Sequence, residues 1–195
     1  MIPTLSRAAA RRLAFVVALL VSGSALAGPK EDMVAMSKKF LALRSYHATM
    51  INSDKRAPKT EMDFVAPDRY RIAMPPMGEQ YMIGDTMYMT VEGRIMRIPM
   101  PKGTMTQWRE PTRAFREVEK MQIEALGQET LNGKPTKKYR FSQAGTPTVS
   151  TLIWVGADGY PVKMETSGST GKRASTVTVL YSRFNDPSIK IDLPK

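Results

Sequence analysis

Apolar and polar residues alternate in short runs along most of this chain, and Pro, Gly, Asn and Asp punctuate the runs. In Lys59–Ala66, Met62, Phe64 and Ala66 share one parity while Glu61 and Asp63 take the other. In Arg69–Met74, Tyr70, Ile72 and Met74 oppose Arg69 and Arg71. Period-two patterning closed by turn residues predicts antiparallel strands with one face buried. The same reading predicts strands over Tyr46–Ser53, Ile123–Thr130, Thr136–Ser142, Ser150–Val155, Val162–Thr166 and Ala174–Phe184. It adds a short tail strand in which Ile189, Ile191 and Leu193 alternate. Leu131-Asn132-Gly133-Lys134 contains Asn-Gly, a strong hairpin signal because both residues tolerate positive φ. Ser167–Arg173 reads as a polar loop.

Two segments change period. Pro29–Arg44 places Met33, Met36, Phe40 and Leu43 on one stripe, with Val34 and Leu41 beside it. Pro29 suits a first turn, and Glu31 and Asp32 suit the positive end of the helix dipole. A second helix is expected over Thr112–Met121, with Phe115, Val118 and Met121 on one side, after a loop carrying Trp108. About ten or eleven antiparallel strands with two helices make this an α+β protein.

Parity fails between Met74 and Met105. Eight of the chain's fifteen methionines stand there, with Tyr81, Ile83, Tyr88, Val91, Ile95 and Ile98 among them. Short strands apolar at both parities need a covering layer or a guest, since an ordinary half-exposed sheet keeps one polar face. Three readings remain open. The stretch is a methionine-rich core, or a plastic apolar cavity suited to ligands of variable shape, or a soft-metal site, since thioethers suit Cu(I). Met74-x-x-Met77 and Met87-x-Met89 have the spacing for the last, but there is no Cys and one His to accompany them.

Composition narrows the setting. The chain has 195 residues and no cysteine, which excludes disulfides, thiolate metal sites and a lipidated N-terminal Cys. Residues 1–27 read as a cleaved signal peptide: Arg7, Arg11 and Arg12, an apolar run from Leu13 to Val21, then Ala25-Leu26-Ala27. The apolar run falls short of the ~20 residues of a spanning helix. Arg11-Arg12 leaves Sec and twin-arginine export both open. Residues 28–195 then form one domain, expected in a bacterial periplasm. The formal charge of +11 loses three arginines with the leader, leaving 26 Lys and Arg against 18 Asp and Glu, or +8. That balance suits an anionic membrane surface or lipid head groups. Export and dispersed charge argue against nucleic acid.

Catalytic signals are weak. His47 is the single histidine, and no Gly-x-Ser-x-Gly elbow is present. Gly168-Ser169-Thr170-Gly171-Lys172 lacks phosphate-loop spacing. Glu61 and Asp63 sit two apart on the polar side of a strand. No enzyme, metal or cofactor is expected.

The second half carries a family likeness. Ile123–Pro135 followed by Tyr139-Arg140-Phe141, Trp154-Val155, Asp158-Gly159-Tyr160-Pro161-Val162-Lys163 and Tyr181–Ile191 resembles the LolA/LolB-like superfamily of outer-membrane lipoprotein carriers and sorting proteins, with mycobacterial lipid-binding lipoproteins as relatives. The start of the first strand at Ser45-Tyr46 fits it too. The resemblance implies a strongly curved antiparallel sheet, an incomplete barrel, with helices covering its concave face and a cavity for acyl chains between them. It implies a periplasmic carrier of lipid or lipidated protein, with an inner- or outer-membrane protein as transfer partner. An envelope-stress sensor or assembly module on the same fold is the alternative. The lining candidates are Met62, Phe64, Tyr70, Ile72, Tyr81, Ile83, Met87, Met89, Met96, Trp108, Phe115 and Trp154. Arg69, Arg71, Arg94 and Arg97 are candidates for meeting anionic head groups. A one-residue slip in parity would move whole sets to the other face.

Overall fold

A computed structural model describes residues 28–54, 56–104, 118, 120–143, 149–170 and 173–194. One helix, α1 (Pro29–Leu41), is followed by β1 (Ser45–Asn52), β2 (Thr60–Val65), β3 (Arg69–Met74), β4 (Gly78–Ile83), β5 (Thr86–Val91) and β6 (Arg94–Pro99). After residues 100–120 come β7 (Met121–Leu131), β8 (Lys134–Gln143), β9 (Val149–Gly156), β10 (Pro161–Thr170) and β11 (Arg173–Ser182).

All eleven strands form one sheet in the order β6-β5-β4-β3-β2-β1-β11-β10-β9-β8-β7. Two meanders thus meet back to back, joined where β1 pairs antiparallel with β11, Met50 opposite Val179. The sheet does not close into a barrel, and its edges β6 and β7 are consecutive in the chain. The expected architecture holds as a single open antiparallel sheet. A cover of several helices is not seen: α1 is the one helix of that length among the described residues. The expected second helix falls outside them except at residues 118 and 120, both helical, and at Met121, which opens β7.

α1 starts as its sequence dictates. Pro29 occupies the first turn, Glu31 and Asp32 lie there too, and Lys38 and Lys39 lie in the last turn. This charge order complements the helix dipole. Met33 is fully buried in one cluster with Val34 and Met36 packed against it, while Phe40 packs against the other. The helix ends earlier than expected, and Leu43 is buried beyond it, just before β1. Two clusters share the helix side of the sheet. Leu43, Tyr46, Ala48, Phe64, Tyr70 and Val179 form one. Met33, Val118, Tyr139, Ile153 and Val155 form the other. Aromatic rings bind the first cluster: Phe40 to Tyr46 at 4.9 Å, Tyr46 to Phe64 at 5.0 Å and Phe64 to Tyr70 at 4.9 Å between centroids.

Two expectations are corrected. Ser167–Arg173 is mostly ladder, with Ser167 opposite Thr176 and Thr170 opposite Arg173. Its Ser and Thr residues read as loop because the hairpin has no apolar face there, yet the backbone pairing continues. The tail is no strand: residues 183–194 pair with nothing in a ladder. Positive φ at Arg183 and Asn185 breaks the extended path. The tail is instead pinned to the start of β1. Asn185 Oδ1 accepts from the Arg44 amide and Ser45 Oγ donates to the Asp186 carbonyl. Ile189 and Ile191 are buried, and the Ile191 carbonyl accepts from Arg69 at 2.7 Å.

Candidate functional site

Register decides which side chains share a face, because residues directly opposite in antiparallel strands point the same way. Two rows cross the N-terminal half on the helix side. One runs Tyr46, Phe64, Tyr70, Met82, Met87, Ile98 from β1 to β6. The other runs Ala48, Met62, Ile72, Gln80, Met89, Met96 over the same strands. Both begin in the core, where Phe64 and Ala48 have no exposed surface, and open toward the β6 edge, where Met96 is 47% exposed. Met50, Met62, Met82, Met100 and Met164 pack half-buried against the aromatic cluster. Met74, Met87, Met89 and Met96 extend the same face outward. Nearly all the methionines of β1 to β6 therefore stand on one wall.

Of the residues proposed from sequence, Met62, Phe64, Tyr70, Ile72, Met87, Met89 and Met96 share this wall. Tyr81, Ile83 and Trp154 stand on the opposite face. Tyr81 is opposite Arg71 and Tyr88, Ile83 is opposite Arg69, and Trp154 is opposite Lys138 and Lys163. In β4 both parities are apolar, so alternation could not choose between Tyr81 and Met82. Trp154 is buried by lysine stems, whose ammonium groups lie 4.6 and 4.4 Å from its ring centre. Trp108 and Phe115 lie outside the described residues. Among the arginines, Arg94 registers with the wall's face, opposite Val91, while Arg69, Arg71 and Arg97 take the other. Sequence reasoning missed Met50, Met82, Met100 and Met164, although continued parity from Phe64 through Tyr70 would have found Met82.

Clefts border the helix and the wall. One of about 440 Å3 lies between α1 and the β8–β9 end, floored by Met33, Met36, Pro135 and Val155. Its rim carries an ion pair and a hydrogen bond: Asp32 Oδ2 accepts from Tyr139 at 2.5 Å and faces Lys137 Nζ at 3.4 Å. Burial and the Asp32 charge push the Tyr139 phenol well above its ordinary value. A smaller cleft of about 250 Å3 opens beside Met50, Met74 and Val177 at the far end of the wall.

The opposite face carries a polar chain across β1 to β4. Lys59 pairs with Glu61, which faces His47 Nε2 at 3.0 Å, and His47 Nδ1 faces Asp63 at 2.7 Å. Arg71 grips Asp63 Oδ2 through Nε and a terminal nitrogen and reaches Glu79 at 3.0 Å, and Tyr81 donates to Glu79. Burial pushes the Asp63 carboxyl up, but hydrogen bonds from His47 and Arg71 outweigh it and hold it below the usual range. Every acceptor here has a donor within the chain. Thr49 Oγ1 stands beside the chain, 3.5 Å from His47 Nε2, and donates its proton to Glu61 at 2.6 Å, so the arrangement is that of a structural clasp. Among the described residues no group of three or more His, Asp or Glu could hold a metal ion. No described helix is long and apolar enough to cross a membrane.

No known family profile matches the chain, and no curated protein sequence does. Solved structures do. Lipoprotein LppX of Mycobacterium tuberculosis matches with a TM-score of 0.62 at 13% identity, over 84% of this chain and 97% of that one. LprF of Mycobacterium bovis matches at 0.58 and 15%, over 86% and 96%. A LolA superfamily protein of Nitrosomonas europaea matches at 0.31 and 10%, over 85% and 94%, too loosely to bear weight. Identities this low speak to architecture alone, and at that level the likeness drawn from Ile123–Ile191 is borne out as a fold shared with LppX and LprF over most of the chain.

Proposed function

We propose that the methionine wall binds the acyl chains of a lipid or lipidated protein, and that the protein carries them across the cell envelope by sequestration without bond chemistry. The observation behind this reading is the pair of cross-strand rows that leave the core as Phe64–Tyr70 and Met62–Ile72 and end half-exposed at Met87, Met89 and Met96. A folded sheet needs its inner row covered. Contact with an acyl chain supplies that cover, and each methylene removed from water contributes about 0.8 kcal/mol. Methionine side chains repack around a chain of any length, which suits a ligand that must also leave. The fold it shares with two mycobacterial lipoproteins agrees with an envelope setting. The excess of basic residues would favour an anionic membrane as donor or acceptor.

The test is direct. Purified protein, cleaved after Ala27, is examined by native mass spectrometry and titrated with a fluorescent fatty acid. Bound lipid or saturable uptake is expected. Met87→Asp with Met89→Asp should weaken uptake at least tenfold, whereas Met77→Asp, on the exposed β3–β4 turn, should not. Lipid-free protein with no uptake would overturn the proposal.

A further inference from the structure

The thioethers of the wall differ from one another in exposure. Met96 is 47% exposed at the edge strand, and Met89 stands directly opposite it. Met82 and Met87 face each other one pair along, both half-buried. Met77 is 60% exposed but lies on a turn away from the wall, and Met33 under α1 is wholly buried. Solvent-borne oxidant therefore reaches the wall and the turn and spares the helix core.

We infer that the wall is an oxidation site and that its oxidation switches acyl binding off, an inference that rests on the acyl-binding reading above. The chemistry needs a peroxide or a hypohalous acid. With hydrogen peroxide, a sulfur lone pair attacks one oxygen, the O–O bond breaks, and water leaves as the methionine becomes its sulfoxide. Sulfur is oxidised by two electrons and the peroxide is reduced. The product is polar and chiral where an apolar, flexible group stood, and sulfoxide reductases reverse it.

Neighbours set how much each sulfoxide matters. Gln80 is opposite Met89, and Arg94 shares the face, so a donor stands within that row for the Met89 and Met96 sulfoxides. Met87 sits in the row Tyr70, Met82, Met87, Ile98, whose β4 to β6 members are apolar. A sulfoxide there would be buried beneath an acyl chain without a partner in its row. Affinity should fall by about tenfold for such a group. An acyl chain in place should in turn shield Met87, Met89 and Met96 while leaving Met77 as reactive as before.

The experiment uses the cleaved full chain with fluorescent fatty acid as probe, before and after hydrogen peroxide, with each methionine followed by peptide mass spectrometry. Uptake by the reduced protein is read first, so failure of the acyl reading shows before any oxidant is added and removes this inference with it. Given uptake, oxidised protein should bind at least tenfold more weakly, and sulfoxide reductases should restore it. Fatty acid should slow oxidation of Met87, Met89 and Met96 several-fold and of Met77 not at all. In a variant with Met82, Met87, Met89 and Met96 replaced together by Leu, close in volume, the ratio of uptake after peroxide to uptake before it should stay near one, although Met77 still oxidises. Unchanged affinity with wall sulfoxides present, equal shielding of Met77, or equal peroxide loss in the Leu variant would each overturn it.

Discussion

His47 Nδ1 lies 2.7 Å from Asp63 Oδ1, across the β1–β2 ladder, while Asp63 Oδ2 is held from the other side by Arg71. Asp63 is 6% exposed. Its carboxyl is lowered in the fold from an ordinary value of 3.8, against the upward push of burial. A lowered carboxyl contributes stability that is fully present above the unfolded value and is lost as pH falls through the folded one. Asp63→Asn should therefore cost about 1.5–3 kcal/mol at pH 7, the range for hydrogen bonds to charged groups. The gap between wild type and variant should narrow below about pH 4. Urea denaturation at pH 7, 5 and 3 measures it, and a gap that widens toward pH 3 would contradict the assignment.

A second expectation concerns how α1 is held. Tyr139 on β8 donates to Asp32 in the helix's first turn, and Met33 beside it is fully buried against Ile153 and Val155. Tyr139→Phe keeps the ring and removes one hydrogen bond to a charged acceptor, so it should cost about 1–3 kcal/mol. Met33→Ala removes a fully buried side chain and should cost about 2–5 kcal/mol. Thermal unfolding followed by circular dichroism ranks the two. A cost for Tyr139→Phe above that of Met33→Ala would show that packing is not what seats the helix.

The elements just named show where sequence was readable. α1 was legible because Met33, Met36 and Phe40 repeat on one stripe and nothing else satisfies that period. The Asn132-Gly133 hairpin was legible because positive φ at both residues, 50° and 75°, is a local demand. The faces of β4 were not, since Tyr81 and Ile83 are as apolar as Met82 and only the ladder to Arg71 and Met87 tells them apart. Trp154 misled for a related reason: aromatic residues usually mark a core, but here lysine stems bury the ring on the polar face. The tail failed because Ile189 and Ile191 alternate like a strand while Asp186 turns the backbone before them. Hydrogen bonds from Ser188 and Arg183 hold the Asp186 carboxyl down to about 2.

Gly159 allows a further test. It has φ +79, and a Cβ there would stand 3.2 Å from Lys39 Cδ and Nζ. Lys39 donates to the Asp158 carbonyl at 2.8 Å, joining the helix to the β9–β10 turn. Gly133 has a similar φ of +75 and nothing within 4 Å of the added atom. Gly133→Ala should cost about 1–2 kcal/mol through backbone conformation alone. Gly159→Ala should cost that plus a small excess, because Lys39 is flexible enough to move aside. The excess should vanish in a Lys39→Ala background. A double-mutant cycle by chemical denaturation reads the coupling, and its absence would mean the lysine does not brace this turn.

The last expectation separates the two faces of the sheet by light. Trp154 is 2% exposed and lies between Lys138 and Lys163, opposite the methionine wall. The chain's other tryptophan is Trp108. In a Trp108→Phe protein, emission comes from Trp154 alone and should be blue-shifted, as a ring removed from water requires. Saturating fatty acid should leave its wavelength and intensity unchanged, because the acyl chain occupies the far side of the sheet. Met87→Asp with Met89→Asp should abolish uptake and leave the same emission. A shift on ligand addition would put Trp154 on the binding face, which would require the register of β9 to be displaced by one residue and the wall to be drawn through a different set of side chains.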